Sequence, residues 1–102
     1  MSLGPTISIV IPARNESAGL RHLLPCLAGL VSGAEIIVVD DGSTDDTANV
    51  CAEFKVARLR HHYALGNGAA IKAGARAAKG EVLIFMDADG QHQAYEGRLE
   101  KL

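Results

Sequence analysis

The chain has 102 residues, 48% hydrophobic and 22% charged, with a net charge of −2, which makes room for one folded domain with a single core. That charge argues against a nucleic-acid partner, which calls for a basic surplus, and no apolar run approaches the roughly 20 residues of a membrane helix. The opening MSLG is not a basic, apolar signal segment, and Cys26 and Cys51 sit inside apolar helical patterns, as reduced core cysteines of a cytoplasmic protein would.

The first predicted element, TISIVIP (6–12), is a continuous β-branched run, the pattern of a strand buried on both faces. Leucines at helical spacing (Leu20, Leu23, Leu24, Leu27, Leu30) then predict a helix over 15–30, capped by Asn15 or Ser17 and kinked or restarted at Pro25. AEIIVVDDG (34–42) reads as a second buried strand. STDDTANVCAEF (43–54) reads as a helix capped by Ser43, with acids in its first turn. VARLRH (56–61) is a weaker third strand. GNGAAIKAGARAAKG (66–80) is an alanine-rich helix after a glycine loop, closed by Gly80. EVLIFMDAD (81–89) is the fourth and strongest strand, and residues 93–102 read as a polar, helical tail.

Strands joined through helices must lie parallel. The expected fold is therefore α/β, a Rossmann-like parallel sheet of about four strands with helices on both faces, residues 1–102 forming a single domain. Ligands of such sheets bind beyond the carboxyl ends of the strands, where the strand order switches. Three polar clusters, PARNE, DDGSTD and DADGQH, follow strand ends and would gather at that rim.

Asp87 and Asp89, two residues apart at a predicted strand end, would point to one face. Close carboxylates repel unless one protonates or a cation intervenes, and a hard ion such as Mg²⁺ or Mn²⁺ takes oxygen ligands, to which Gln91 could add its amide oxygen. An acidic strand-to-loop exit is the plainer alternative. In DDGSTD a turn and a helix cap account for Gly42, Ser43 and Asp45 but not for adjacent acids at 40 and 41; a carboxylate there could accept from a nucleobase N–H or a ribose hydroxyl. Arg14 and Glu16 would flank the same crevice. Lys72 reads equally as a phosphate contact and as a solvated helix lysine. The glycine-rich LGNGAAIKAG satisfies neither the dinucleotide fingerprint nor the P-loop spacing. His61, His62 and His92 have no convincing metal-ligand spacing.

Taken in order, IVIPARNES, IIVVDDGSTDDT and GNGAAIKAG…GEVLIFMDADGQH resemble the amino-terminal half of a family 2 glycosyltransferase, closest in flavour to the dolichol- or polyprenyl-phosphate sugar transferases. The resemblance spans about residues 7–92, with 6–92 as the nucleotide-sugar-binding half. It implies that Pro12, Arg14, Glu16, Val39 and Asp41 contact the nucleotide. It implies that Asp87, Ala88 and Asp89 form the Asp-x-Asp segment, with Asp87, Asp89 and Gln91 on Mg²⁺ or Mn²⁺. The donor would be a GDP- or UDP-linked sugar and the acceptor a lipid phosphate, the full-length parent working at the cytoplasmic membrane face. The metal would answer the opposition between two carboxylates and a diphosphate of about three negative charges. The family's general base and acceptor side would lie past the last residue, so the chain is expected to be inactive alone. A nucleotide-binding or interaction module without catalysis is the alternative; a nucleotidyltransferase fits less well, because PARNES lacks that class's glycine-rich loop. The strand 81–89, left at a sheet edge, would favour self-association.

Overall fold

The structure, a computed structural model, describes residues 6–30, 33–88 and 95–98. In chain order these form β1 (Ile7–Ala13), α1 (Ser17–Leu30), β2 (Glu35–Asp41), α2 (Thr47–Glu53), β3 (Ala57–His61), α3 (Asn67–Ala77), β4 (Val82–Phe85) and β5 (Tyr95–Arg98). One sheet takes the order β3-β2-β1-β4-β5. Its first four strands are parallel, as expected, and β5 joins β4 antiparallel with Phe85 opposite Tyr95.

Two expectations are corrected here. The segment read as a helical tail contains a strand, and β4 is not an edge strand, because β1 and β5 pair with it on either side. The outer positions belong to β3 and β5.

Strand alternation sorts the core into two layers. Ile9, Ile11, Ala13 and Val38 face Leu20, Leu23, Leu24 and Leu27 of α1 with Val50 and Cys51 of α2. Val10, Ile37, Val39, Leu83 and Phe85 face Ala70 of α3. On this second face the helix comes very close: a Cβ added at Gly74 would stand 2.3 Å from Val10 Cγ1 and 3.1 Å from Val39 Cγ2. The small residues of α3 are therefore what lets it lie on the sheet.

The helix starts differ from their expected form. α1 runs through Pro25, which is exposed, and its first amide, that of Ser17, donates to Asp45 Oδ2 at 3.1 Å. The cap thus comes from the next loop rather than from Asn15 or Ser17. Asn15 instead adopts φ 54°, accepts from the Thr44 amide (2.8 Å) and donates its own amide to Ser43 Oγ (3.0 Å). Ser43 is therefore occupied, and α2 begins four residues later at Thr47, where Asp45 accepts from the Thr47 amide and hydroxyl. These bonds join the β1–α1 and β2–α2 loops into one unit.

At the opposite rim Ser8, fully buried, donates to Glu35 Oε1 at 2.7 Å and accepts from the Gly80 amide at 2.8 Å. Glu35 also accepts from the Lys79 amide, and that bond, then the Ser8 hydroxyl, holds its carboxyl below the usual range.

Candidate functional site

β1 and β4 separate where the strand order switches. Their pairing stops at Val10 opposite Phe85, while Ile11, Pro12 and Ala13 continue against β2 alone. A cavity of about 380 Å³ opens there, lined by Pro12, Ala13, Arg14 and Glu16 after β1, Asp41 at the end of β2, Gly66, Asn67 and Ala70 at the start of α3, and Asp87 and Ala88 after β4. Four segments distant in sequence meet at the carboxyl rim.

Of the residues expected to bind a donor, Pro12, Arg14, Glu16, Asp41, Asp87 and Ala88 line this cavity. Val39 does not: it is fully buried in the core beneath α3. Lys72 is exposed on α3 and is not part of the lining. Asp89 and Gln91 lie outside the described residues. Because β4 ends at Phe85, Asp87 belongs to the segment beyond the strand, so strand alternation does not set its direction. Asp87 is exposed and Ala88 buried.

The adjacent acids Asp40 and Asp41 divide between the two faces of the sheet. Asp40 accepts from the Ser43 amide (2.9 Å) and pairs with Arg58 (3.0 Å), two positions along β3 on the same face. Asp41 points to the α3 face, directly across from its register partner His61. Its Oδ1 accepts from the Leu65 amide at 2.9 Å and lies 2.8 Å from His61 Nδ1, and its Oδ2 accepts from the Gly66 amide at 2.9 Å. Burial pushes the Asp41 carboxyl upward; the Leu65 amide, the His61 ring and the Gly66 amide more than reverse this and hold it low, as an anion. Of about four acceptor positions on a carboxylate, one on Oδ2 is left for a ligand.

Sequence reasoning missed Gly66, Asn67 and the partnership of Asp41 with His61. The parallel register of VVDD beside RLRH was the available signal, since it puts residue 61 opposite residue 41. As for a metal, Asp87 offers a hard oxygen donor at the cavity, which suits Mg²⁺ or Mn²⁺. Among the described residues no group of three His, Cys, Asp or Glu side chains is placed to hold a metal ion.

A mainly parallel sheet with helices on both faces and a polar cavity at its switch point defines an α/β protein of the class whose ligands bind beyond the carboxyl ends of the strands. Residues 8–102 match the model of glycosyl transferase family 2, and the chain belongs to that family. It is 35% identical over 95 residues to glucosyl-3-phosphoglycerate synthase of Mycobacterium tuberculosis, covering 84% of this chain and 29% of that protein. A crystal structure of that synthase with Mn²⁺, UDP and glucosyl-3-phosphoglycerate superposes with a TM-score of 0.73 at 34% identity, over 83% of this chain and 34% of the other. The undecaprenyl-phosphate 4-deoxy-4-formamido-L-arabinose transferase of Pseudomonas savastanoi pv. phaseolicola is 38% identical over 102 residues, which covers 88% of this chain and 30% of that enzyme. The fold is also that of a mannosyltransferase from Pyrobaculum calidifontis in complex with GDP-Man and Mn²⁺ (TM-score 0.79, 22% identity, 86% of this chain and 28% of the other). The chain thus spans about a third of the length of these relatives.

Proposed function

We propose that this chain forms the donor-binding part of an enzyme that transfers a sugar from a nucleotide sugar, GDP- or UDP-linked, to an acceptor. The observation that carries this reading is the convergence of Arg14, Glu16, Asp41 and Asp87 on one cavity at the switch point. The open acceptor position on Asp41 Oδ2 suits a nucleobase N–H or a ribose hydroxyl. Arg14 supplies positive charge toward the diphosphate, and Pro12 and Ala88 shape the walls. Asp87, with Asp89 and Gln91, would hold Mg²⁺ or Mn²⁺. When bound, that ion supplies positive charge to the diphosphate leaving group. Val39 would support this wall from below, and Lys72 is the weakest of the proposed phosphate contacts, given its position outside the lining.

Two of the named relatives carry a phosphorylated compound in their names, a phosphoglycerate in one case and a lipid phosphate in the other. A lipid phosphate would put the whole enzyme at the cytoplasmic membrane face. Among the described residues no helix is long and apolar enough to cross a membrane. The second reading is donor binding without transfer; a transfer assay with donor and acceptor separates the two. Self-association, if it uses a strand edge, would run through β3 or β5.

Calorimetric titration with UDP, GDP and their sugar conjugates, in Mn²⁺ and then in EDTA, tests the site. Binding should need the metal and should weaken at least about tenfold, ~1.4 kcal/mol, in Asp87→Ala and in Asp89→Ala. Binding indifferent to EDTA and to both substitutions would overturn the metal assignment. No binding of any nucleotide would overturn the donor-site reading.

A further inference from the structure

The loop between β3 and α3 is held from two directions. Asp41 binds it through the Leu65 and Gly66 amides, and the loop lies so close to β2 that a Cβ at Gly42 would meet the Ala64 nitrogen at 2.6 Å. Gly42 has φ 75°, so the turn after β2, against which the loop packs, is itself one that favours glycine. The far end of the loop becomes cavity wall at Gly66 and Asn67. His61, which stands at the near end, is mostly buried and does not line the cavity; its Nδ1 meets the same carboxylate oxygen that accepts from Leu65.

We propose that His61 is a positioning residue for the donor cavity, orienting the Asp41 carboxylate so that it clamps the loop and sets the Gly66–Asn67 wall. The carboxylate is an acceptor only, so the His61 nitrogen facing it carries the hydrogen. That bond removes one rotational choice from Asp41 and leaves Oδ2 directed at Gly66 and the cavity. His61 touches no ligand in this scheme; it acts through Asp41. The proposal rests on the cavity being a nucleotide site, but the clamp itself is separately measurable.

The test compares three substitutions. Asn places a side-chain nitrogen where Nδ1 stands, Gln places it one bond too far, and Leu removes it. In His61→Leu and His61→Gln the Leu65 and Gly66 amides should exchange hydrogen about tenfold faster, in line with one lost hydrogen bond to a charged group, and Mn²⁺-dependent affinity for UDP or GDP should fall by a similar factor. His61→Asn should stay within about threefold of the parent in both readouts. Gln keeps a polar side chain at the same depth, so a Leu variant that fails to fold does not remove the test. Unchanged amide exchange in Gln and Leu overturns the proposal, as does faster exchange with unchanged nucleotide affinity. If the parent chain binds neither UDP nor GDP, the donor-site reading falls, and the exchange measurement still decides whether His61 holds the loop.

Discussion

Single residues do two kinds of work at the two rims. At the carboxyl rim, Asp40 and Asp41 answer the question their adjacency raises. Neighbouring strand positions face opposite sides, so one acid joins a structural pair with Arg58 while the other reaches the cavity. At the amino rim Ser8 ties β1 to Glu35 and to Gly80. Ser8→Ala should cost about 1–3 kcal/mol, because the buried Gly80 amide would lose its partner. Urea unfolding checks this, with a lower midpoint at an unchanged slope expected; an unshifted midpoint would show that Ser8 is dispensable. The pairing of Asp41 with His61 was missed because no motif spacing links the two residues. Only the register between β2 and β3 makes them neighbours.

Elements were the most legible scale. Continuous Ile and Val runs mark β1, β2 and β4 because strands covered on both faces have no polar side to show. The fifth strand left no such signal: AYEGRLEKL has neither a buried run nor clean alternation, and its pairing comes from the free edge of β4. Helix starts were also misread, since Asn15 and Ser43 satisfy amides across loops, and Asp45 holds the Ser17 amide of α1 as well as the Thr47 amide of its own helix. Local capping rules do not include a partner loop. In α3 the glycine at 74 is a contact requirement. Gly74→Ala should destabilise by about 1–3 kcal/mol through overpacking, even though alanine gains up to ~1 kcal/mol in helix propensity. The double variant with Val10→Ala should recover part of the loss, measured as a coupling in thermal melts. A stabilised single variant would mean that α3 can shift away from the sheet at little cost.

For the whole molecule, the four-strand parallel arrangement and the rim at which its ligands gather were readable in advance, since alternating strands and helices leave few other topologies. Acid should loosen this arrangement. Glu35 is held low by the Lys79 amide and Ser8; Asp41 and Asp45 are pushed up by burial, but hydrogen bonds from Leu65, His61 and Gly66, and from Thr47 and Ser17, bring both below their usual values. Lowered carboxyl values mean that the unfolded chain binds more protons, so stability is full above the unfolded values of about 4 and is lost as pH falls through the folded ones. The melting temperature should therefore drop between about pH 5 and about pH 3, followed by circular dichroism; a constant value across that window would count against these bonds.

The strand order also sets a schedule for the growing polypeptide. β1 ends at Ala13, and its second neighbour β4 begins at Val82, 69 residues later (82 − 13). At about 5–20 residues per second the ribosome takes roughly 3–14 s to supply that neighbour. Through that interval β1 can gain β2 on one side, once residue 41 is made, but keeps an open ladder on the other, along Ile7–Val10. A strongly apolar strand is thus the one left waiting, and the rim where a donor would sit is completed only once β4 and the Asp87–Ala88 segment have followed.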